Sequence, residues 1–132
     1  MPLIFVYGTL KRGYLNHQLL DGAEFLGEAE TLPCYRMFNL SFPCLVETAP
    51  GKGRCCKGEV YRVNDWTLEC IDRLEQVPYL YHRDWIKLLQ EFGEPVHGYL
   101  WQLGTEHLPE CSPEWTLDSP RPDFRENLKT MA

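Results

Sequence analysis

The first apolar run of the chain, Leu3-Ile4-Phe5-Val6 followed by Tyr7, ends abruptly at Gly8. An unbroken apolar stretch of this length predicts a buried strand. Shorter and more mixed stretches at 25–32 and 35–40 read as further strands, with Pro33 between them, and 43–48 reads as a short strand or extended loop. Pro50-Gly51-Lys52-Gly53 is a turn signal, and a strand is expected after it over 55–63. Residues 85–90 and 96–103 read as a hairpin pair joined through Glu91-Phe92-Gly93-Glu94-Pro95. Asn16 stands where it would cap a short helical turn ending at Leu20. Six or seven strands and one main helix predict an α+β fold with a mixed or partly closed sheet.

That helix is expected over 66–76, with Asn64 or Asp65 as its cap and Pro78 as its stop. At 100° per residue Leu68, Ile71 and Leu74 form one apolar stripe, while Glu69 and Arg73 project toward water. Glu75 falls between the directions of Leu68 and Ile71, so a carboxylate sits on the apolar face. Such a breach of patterning marks a candidate functional position. The plainer alternative is a glutamate near a helix end that reaches solvent or pairs with Arg83. If Glu75 is buried, desolvation raises its pKa above the usual ~4.3 and makes it a better base at neutral pH.

The segment Gly8-Thr9-Leu10-Lys11-Arg12-Gly13 leaves the first strand. Glycine at its start tolerates backbone angles that cost other residues, and the N–H groups after it can converge on one point. A concavity of amides binds a carboxylate or a developing oxyanion; an ordinary tight turn is the alternative reading. The glycine spacing imitates a phosphate loop, but Tyr14 and Leu15 stand where Lys and Ser/Thr are required, which argues against nucleotide chemistry of that type.

A chain of 132 residues fits one domain spanning 1–132. From about 108, Pro109, Pro113, Pro120, Pro122 and the charges between Asp123 and Lys129 predict an irregular tail, part of which packs through Trp115. The formal net charge of −6, with Lys11-Arg12 as a minor basic patch, argues against nucleic acid. No apolar stretch approaches the ~20 residues of a membrane span, and no leader pattern opens the chain, so a soluble, cytoplasmic protein is expected. Cysteines at 34, 44, 55, 56, 70 and 111 form no C-x-x-C pair, and His17, His82, His97 and His107 are scattered. Free, mostly buried thiols are expected rather than a metal centre or a thiol nucleophile, with at most one of Cys55 and Cys56 facing the core.

Three blocks together resemble the γ-glutamylcyclotransferase-like (AIG2-like) family, and most closely its γ-glutamylamine cyclotransferases. Val6-Tyr7-Gly8-Thr9-Leu10-Lys11-Arg12-Gly13 followed by Asn16-His17 resembles the family's substrate loop. Lys57-Gly58-Glu59-Val60-Tyr61 resembles its central strand, and Ile71-Asp72-Arg73-Leu74-Glu75 with Pro78, Tyr81 and Arg83 resembles the segment carrying its catalytic glutamate. The similarity covers about residues 2–103. Many relatives place glycine after that glutamate, where this chain has Gln76, and the tail resembles the family only around Pro113-Glu114-Trp115.

The resemblance implies a mixed β-barrel with one main helix and short helical turns. It implies an acyl-transfer cyclase that converts a γ-glutamyl amine or amino acid to 5-oxoproline and a free amine, without a cofactor. Glu75 would be the general acid/base, and Tyr7, Gly8, Thr9 and Leu10 would bind the substrate. After Pro78, Tyr81 and Arg83 are expected to begin a strand, with Arg83 pairing an acid; substrate binding by the two is the alternative reading. The partner is then a small γ-glutamyl molecule, not nucleic acid or membrane, and the oligomeric state is left open. A non-catalytic binding module for a γ-glutamyl or other carboxylate ligand is the alternative.

Overall fold

The computed structural model describes residues 1–116; the expectations for Pro120, Pro122 and the charges from Asp123 to Lys129 lie outside them. Seven strands are formed among the described residues: β1 (Leu3–Val6), β2 (Glu24–Glu30), β3 (Tyr35–Asn39), β4 (Pro43–Glu47), β5 (Lys57–Arg62), β6 (Tyr81–Trp85) and β7 (Val96–Trp101). The helix α1 spans Asp65–Leu74, and a 3₁₀ turn spans His17–Leu20. No helix among the described residues is long and apolar enough to cross a membrane.

Five strands pair in the order β2-β5-β1-β7-β6, and β3 with β4 forms a separate two-stranded ribbon. β1 runs antiparallel to β5, from Leu3 opposite Arg62 to Val6 opposite Glu59, and parallel to β7, with Leu3 opposite Val96. Its central place explains its sequence, because both faces are covered. Leu3 and Phe5 enter one core with Tyr35, Met37, Leu45 and Trp115, whereas Ile4 and Val6 enter another with Leu20, Ile71, Tyr81 and Trp101. Alternation along a single strand thus serves two cores.

Among the described residues the ladders make a five-stranded sheet and a ribbon, and the closed ring expected of a barrel is not shown. Beyond the sheet's outer strands, though, the backbone is stitched across: Leu32 N–H donates to Lys87 O at 2.9 Å, and Leu89 N–H to Glu30 O at 2.8 Å. The hairpin partner of β7 also differs from expectation, lying at Tyr81–Trp85 instead of 85–90. It is an outer strand whose later residues are half-buried or exposed, so its Tyr-His-Arg-Asp-Trp sequence lacks apolar alternation.

All six cysteines are free; Cys34, Cys44, Cys56 and Cys111 are buried, and of the adjacent pair only Cys56 is. Trp115 is buried, and its Nε1–H donates to Asn39 Oδ1 at 3.1 Å.

Candidate active site

β1 ends at Val6, and the segment after it is shaped by bonds that consume its carbonyls. Lys11 N–H donates to Gly8 O (3.1 Å), Asn16 N–H to Thr9 O (2.9 Å), and His17 Nδ1–H to Leu10 O (2.9 Å). The N–H groups of Gly8, Thr9 and Leu10, by contrast, have no acceptor among the described residues. Asn16 does not cap the 3₁₀ turn as expected; its Nδ2 donates to Thr9 Oγ1 at 2.8 Å, because that hydroxyl lies within reach and fixes the loop. Arg12 N–H bonds Glu59 Oε1 at 2.9 Å, tying the loop's far side to β5.

Gly8 is needed for a different reason than its torsions. It is not among the residues with positive φ. A Cβ at this position would stand 2.4 Å from Pro43 Cγ and 2.8 Å from Cδ.

On the other side, Asn64 caps α1 by accepting from Thr67 N–H at 2.7 Å. Of the predicted apolar stripe Ile71 is buried and Leu68 half-buried, but Leu74 is 39% exposed. The helix stops at Leu74, short of Gln76, with Glu75 as its cap residue. Gln76 then takes φ 51°, the left-handed conformation that commonly ends helices. This reversal leaves Glu75 half-buried, directed by the helix end instead of by a helical face.

The two halves meet at a cavity of about 310 Å³ whose lining includes Tyr7, Gly8, Thr9, Leu10 and Glu75 together. Every residue nominated from sequence for the site is on it. Leu74, Gln76, Phe42, Pro43, Tyr81 and Tyr99 complete much of the wall. Tyr99 has no sequence signal beyond its place in a strand; of Tyr81 and Arg83, for which substrate binding is the alternative to beginning a strand, Tyr81 lines the cavity and Arg83 does not. Each tyrosine hydroxyl is committed: Tyr7 to Tyr99 O (2.5 Å), Tyr81 to Pro43 O (2.6 Å), and Tyr99 to Asp72 Oδ1 (2.7 Å). Arg83 pairs with an acid as expected, its Nε donating to Asp72 Oδ1 at 3.1 Å.

Electrostatics separate Glu75 from its neighbours. Burial, and next the Glu75 carboxylate, push Tyr7 well above its ordinary value; burial is also the main cause for Tyr81 and Tyr99. These phenols stay protonated. Burial first, then the Asp72 carboxylate, raise Glu75 from 4.5 to about 7. Among the titratable side chains lining the cavity, Glu75 alone exchanges its proton near neutrality. Its carboxylate has no hydrogen-bond or ion-pair partner among the described residues.

A second hollow, about 480 Å³, is lined by Lys11, Arg12, Glu59, Lys57 and Glu114 among others and shares no lining residue with the first. Four of its charges pair, Arg12 with Glu59 at 3.6 Å and Lys57 with Glu114 at 3.8 Å, and Glu28 and Glu30 add two further acids to its wall. The smaller, more apolar cavity with one unpaired acid better fits a small-molecule site. Among the described residues no three His, Cys, Asp or Glu side chains gather to hold a metal ion.

The profile of the family described as Gamma-glutamyl cyclotransferase, AIG2-like, matches residues 4–117. A γ-glutamylaminecyclotransferase of Mus musculus is 35% identical over 125 residues, which are 87% of this chain and 83% of that protein. The Homo sapiens protein of the same name is 43% identical over 91 residues, 63% of this chain and 59% of that one. The crystal structure of an AIG2-like protein from Mus musculus resembles the fold with a TM-score of 0.70 at 31% identity, covering 93% of this chain and 95% of that one. A profile match across nearly all the described residues, with the loop and the glutamate it encloses on one cavity, places this chain in the AIG2-like γ-glutamyl cyclotransferase family.

Proposed function

We propose that this chain is a cyclotransferase that releases an amine from a γ-glutamyl group and leaves 5-oxoproline. The observation that carries the reading is the sharing of one cavity by a carboxylate with a midpoint near 7 and three backbone donors, none of which has a hydrogen-bond partner among the described residues. In the reaction the substrate's own α-amine attacks its γ-carbonyl carbon, a C–N bond closes the five-membered ring, and the original amide C–N bond breaks. No water is consumed. Because attack is intramolecular, holding the substrate folded can recover roughly 7–11 kcal/mol of the barrier.

Glu75 supplies what folding the substrate cannot. As its carboxylate it takes a proton from the attacking nitrogen; as its acid it gives that proton to the departing amine, a role typically worth ~10²–10⁴ in rate. A midpoint near 7 suits both halves at neutral pH. The amides of Gly8, Thr9 and Leu10 serve the substrate carboxylate or the oxyanion, and one oxyanion donor is worth ~10²–10³.

The test is incubation with ε-(γ-glutamyl)lysine and other γ-glutamyl amines, with 5-oxoproline followed by mass spectrometry. Product is expected from the unmodified chain and a loss of ~10²–10⁴ in Glu75→Gln. Saturable binding without product at any pH would replace the enzyme by a binding module. Undiminished turnover in Glu75→Gln would remove the glutamate from the mechanism.

A further inference from the structure

Asp72 stands in the last turn of α1, and Glu75, three residues on, caps that helix. The first is held in place from two strands. Tyr99 Oη–H of β7 donates to Asp72 Oδ1 at 2.7 Å, and Arg83 Nε–H of β6 donates to the same oxygen at 3.1 Å. Arg83 is itself oriented by His97, whose Nδ1 accepts from its Nη1 at 2.6 Å. Since an arginine has only donors, that bond requires His97 to present a lone pair. Burial and then the Arg83 charge lower the imidazole's affinity for a proton, in keeping with this.

One member of this network, Tyr99, reaches the cavity. Its carbonyl accepts the hydroxyl of Tyr7, the residue before Gly8. One chain of contacts therefore runs from His97 and Arg83 through Asp72 and Tyr99 to the wall facing Glu75. We infer that Asp72 and Arg83 are positioning residues: they lock the end of α1 to β6 and β7 and present Glu75 with a negative charge whose strength Arg83 moderates.

Glu75's other interacting groups leave Asp72 in charge of this effect. Just past β1 comes Tyr7, from β4 Cys44, from β6 Tyr81 and from β7 Tyr99, and burial keeps the proton on each. A carboxylate beside Glu75 makes loss of its proton harder, and Asp72 is the second cause, after burial, of its elevated midpoint. The inference rests on the reading of Glu75 as the proton carrier, but the interaction can be measured without turnover.

The experiment compares the unmodified chain with Asp72→Asn and Arg83→Gln. The Glu75 midpoint is read by carboxyl carbon NMR, and the pH dependence of 5-oxoproline release from ε-(γ-glutamyl)lysine is followed in parallel. Asparagine keeps an oxygen for Tyr99 but removes the charge, so the Glu75 midpoint falls, by about half a unit or more for a like charge ~6 Å away. Half a unit triples the ionised fraction well below the midpoint. Arg83→Gln removes the moderating charge, and the midpoint rises.

Opposite shifts, tracked by the pH profile of kcat/KM, support the inference. Midpoints that stay fixed or move together overturn it, as does a profile that ignores a shifted midpoint. A merely structural role would lower activity without moving either. If Asp72→Asn does not fold, an upward shift in Arg83→Gln still decides. Absence of turnover in the unmodified chain, with both NMR shifts intact, would refute the cyclotransferase reading alone.

Discussion

Gly8 lies directly against the ring of Pro43, with 2.4 Å between Pro43 Cγ and the position a Cβ on Gly8 would occupy. This contact seats the start of the loop on the ribbon's second strand, whose first carbonyl also holds Tyr81. A proline ring cannot swing aside as a flexible side chain would. Gly8→Ala is therefore expected to cost about 1–3 kcal/mol of stability, the usual range for overpacking. It should also raise KM, since the amides of Thr9 and Leu10 must move with it. Urea denaturation reads the first effect, and Gly8→Ala combined with Pro43→Ala should recover part of it. A single variant as stable as the unmodified chain would contradict the contact.

Glu75 links the site to stability. Its folded midpoint of about 7 lies above its ordinary 4.5, so the folded state binds this proton more tightly. Below about pH 4.5 both states carry the proton and the residue costs nothing. As pH rises toward 7 the unfolded chain loses the proton first, and folding weakens through that window. Moving the midpoint from 4.5 to about 7 is worth at most ~3 kcal/mol. Glu75→Gln should match the unmodified chain near pH 4 and become the more stable of the two by pH 8. Parallel stability curves across this range would show that Glu75 titrates normally.

Local signals make much of this legible from sequence. The apolar run of β1 announces a strand, and Asn64 announces a helix start that its bond to Thr67 bears out. The loop and Glu75 stand out as breaks in pattern, and they converge on one cavity. The features that escape a local reading depend on partners distant in the chain. Asn16 has two uses for its amide, and the choice of Thr9 is made by the loop's fold. Pro43 is the reason for Gly8, across 35 residues that no local rule connects. A strand start at Tyr81 is legible, but the hairpin with β7 is displaced from its expected 85–90 because an outer strand bearing His82, Arg83 and Asp84 has no apolar alternation to mark its extent. Leu74 looks like core on a helical wheel, yet the helix ends there and leaves it 39% exposed beside the cavity.

Gln76 carries backbone strain at φ 51°, just past the end of α1. Its carbonyl accepts from both Tyr79 N–H (2.7 Å) and Leu80 N–H (3.0 Å), so the reversal is held in place by the turn that leads into β6. A left-handed conformation costs an L-residue roughly 1–2 kcal/mol, and glycine avoids that at an entropic cost of ~0.5–1. Gln76→Gly should therefore stabilise the fold by about 0.5–1 kcal/mol, measured by thermal or urea unfolding. Because Gln76 also lines the cavity, the variant should alter KM among γ-glutamyl amines of different bulk more than it alters kcat. Destabilisation would mean that the side chain makes a compensating contact.

Trp115 reaches the loop from the far end of the described chain. It is 2% exposed, its indole N–H donates to Asn39, and its ring sits 5.6 Å from that of Tyr14. Its carbonyl accepts from Lys11 Nζ at 2.7 Å, so the loop that begins at Gly8 is held by this residue through two of its members. Trp115→Ala should cost about 3–5 kcal/mol by loss of a large buried side chain. Trp115→Phe keeps most of the packing and forfeits the bond to Asn39, so about 1 kcal/mol is expected. Hydrogen exchange distinguishes loosening of the loop from a general loss of stability. At equal distance from their unfolding midpoints, Trp115→Ala should exchange faster than the unmodified chain at the bonded loop amides of Lys11, Arg12 and Tyr14 while β1 and β5 remain protected. Uniform acceleration across all three would show that Trp115 supports the core without holding the loop.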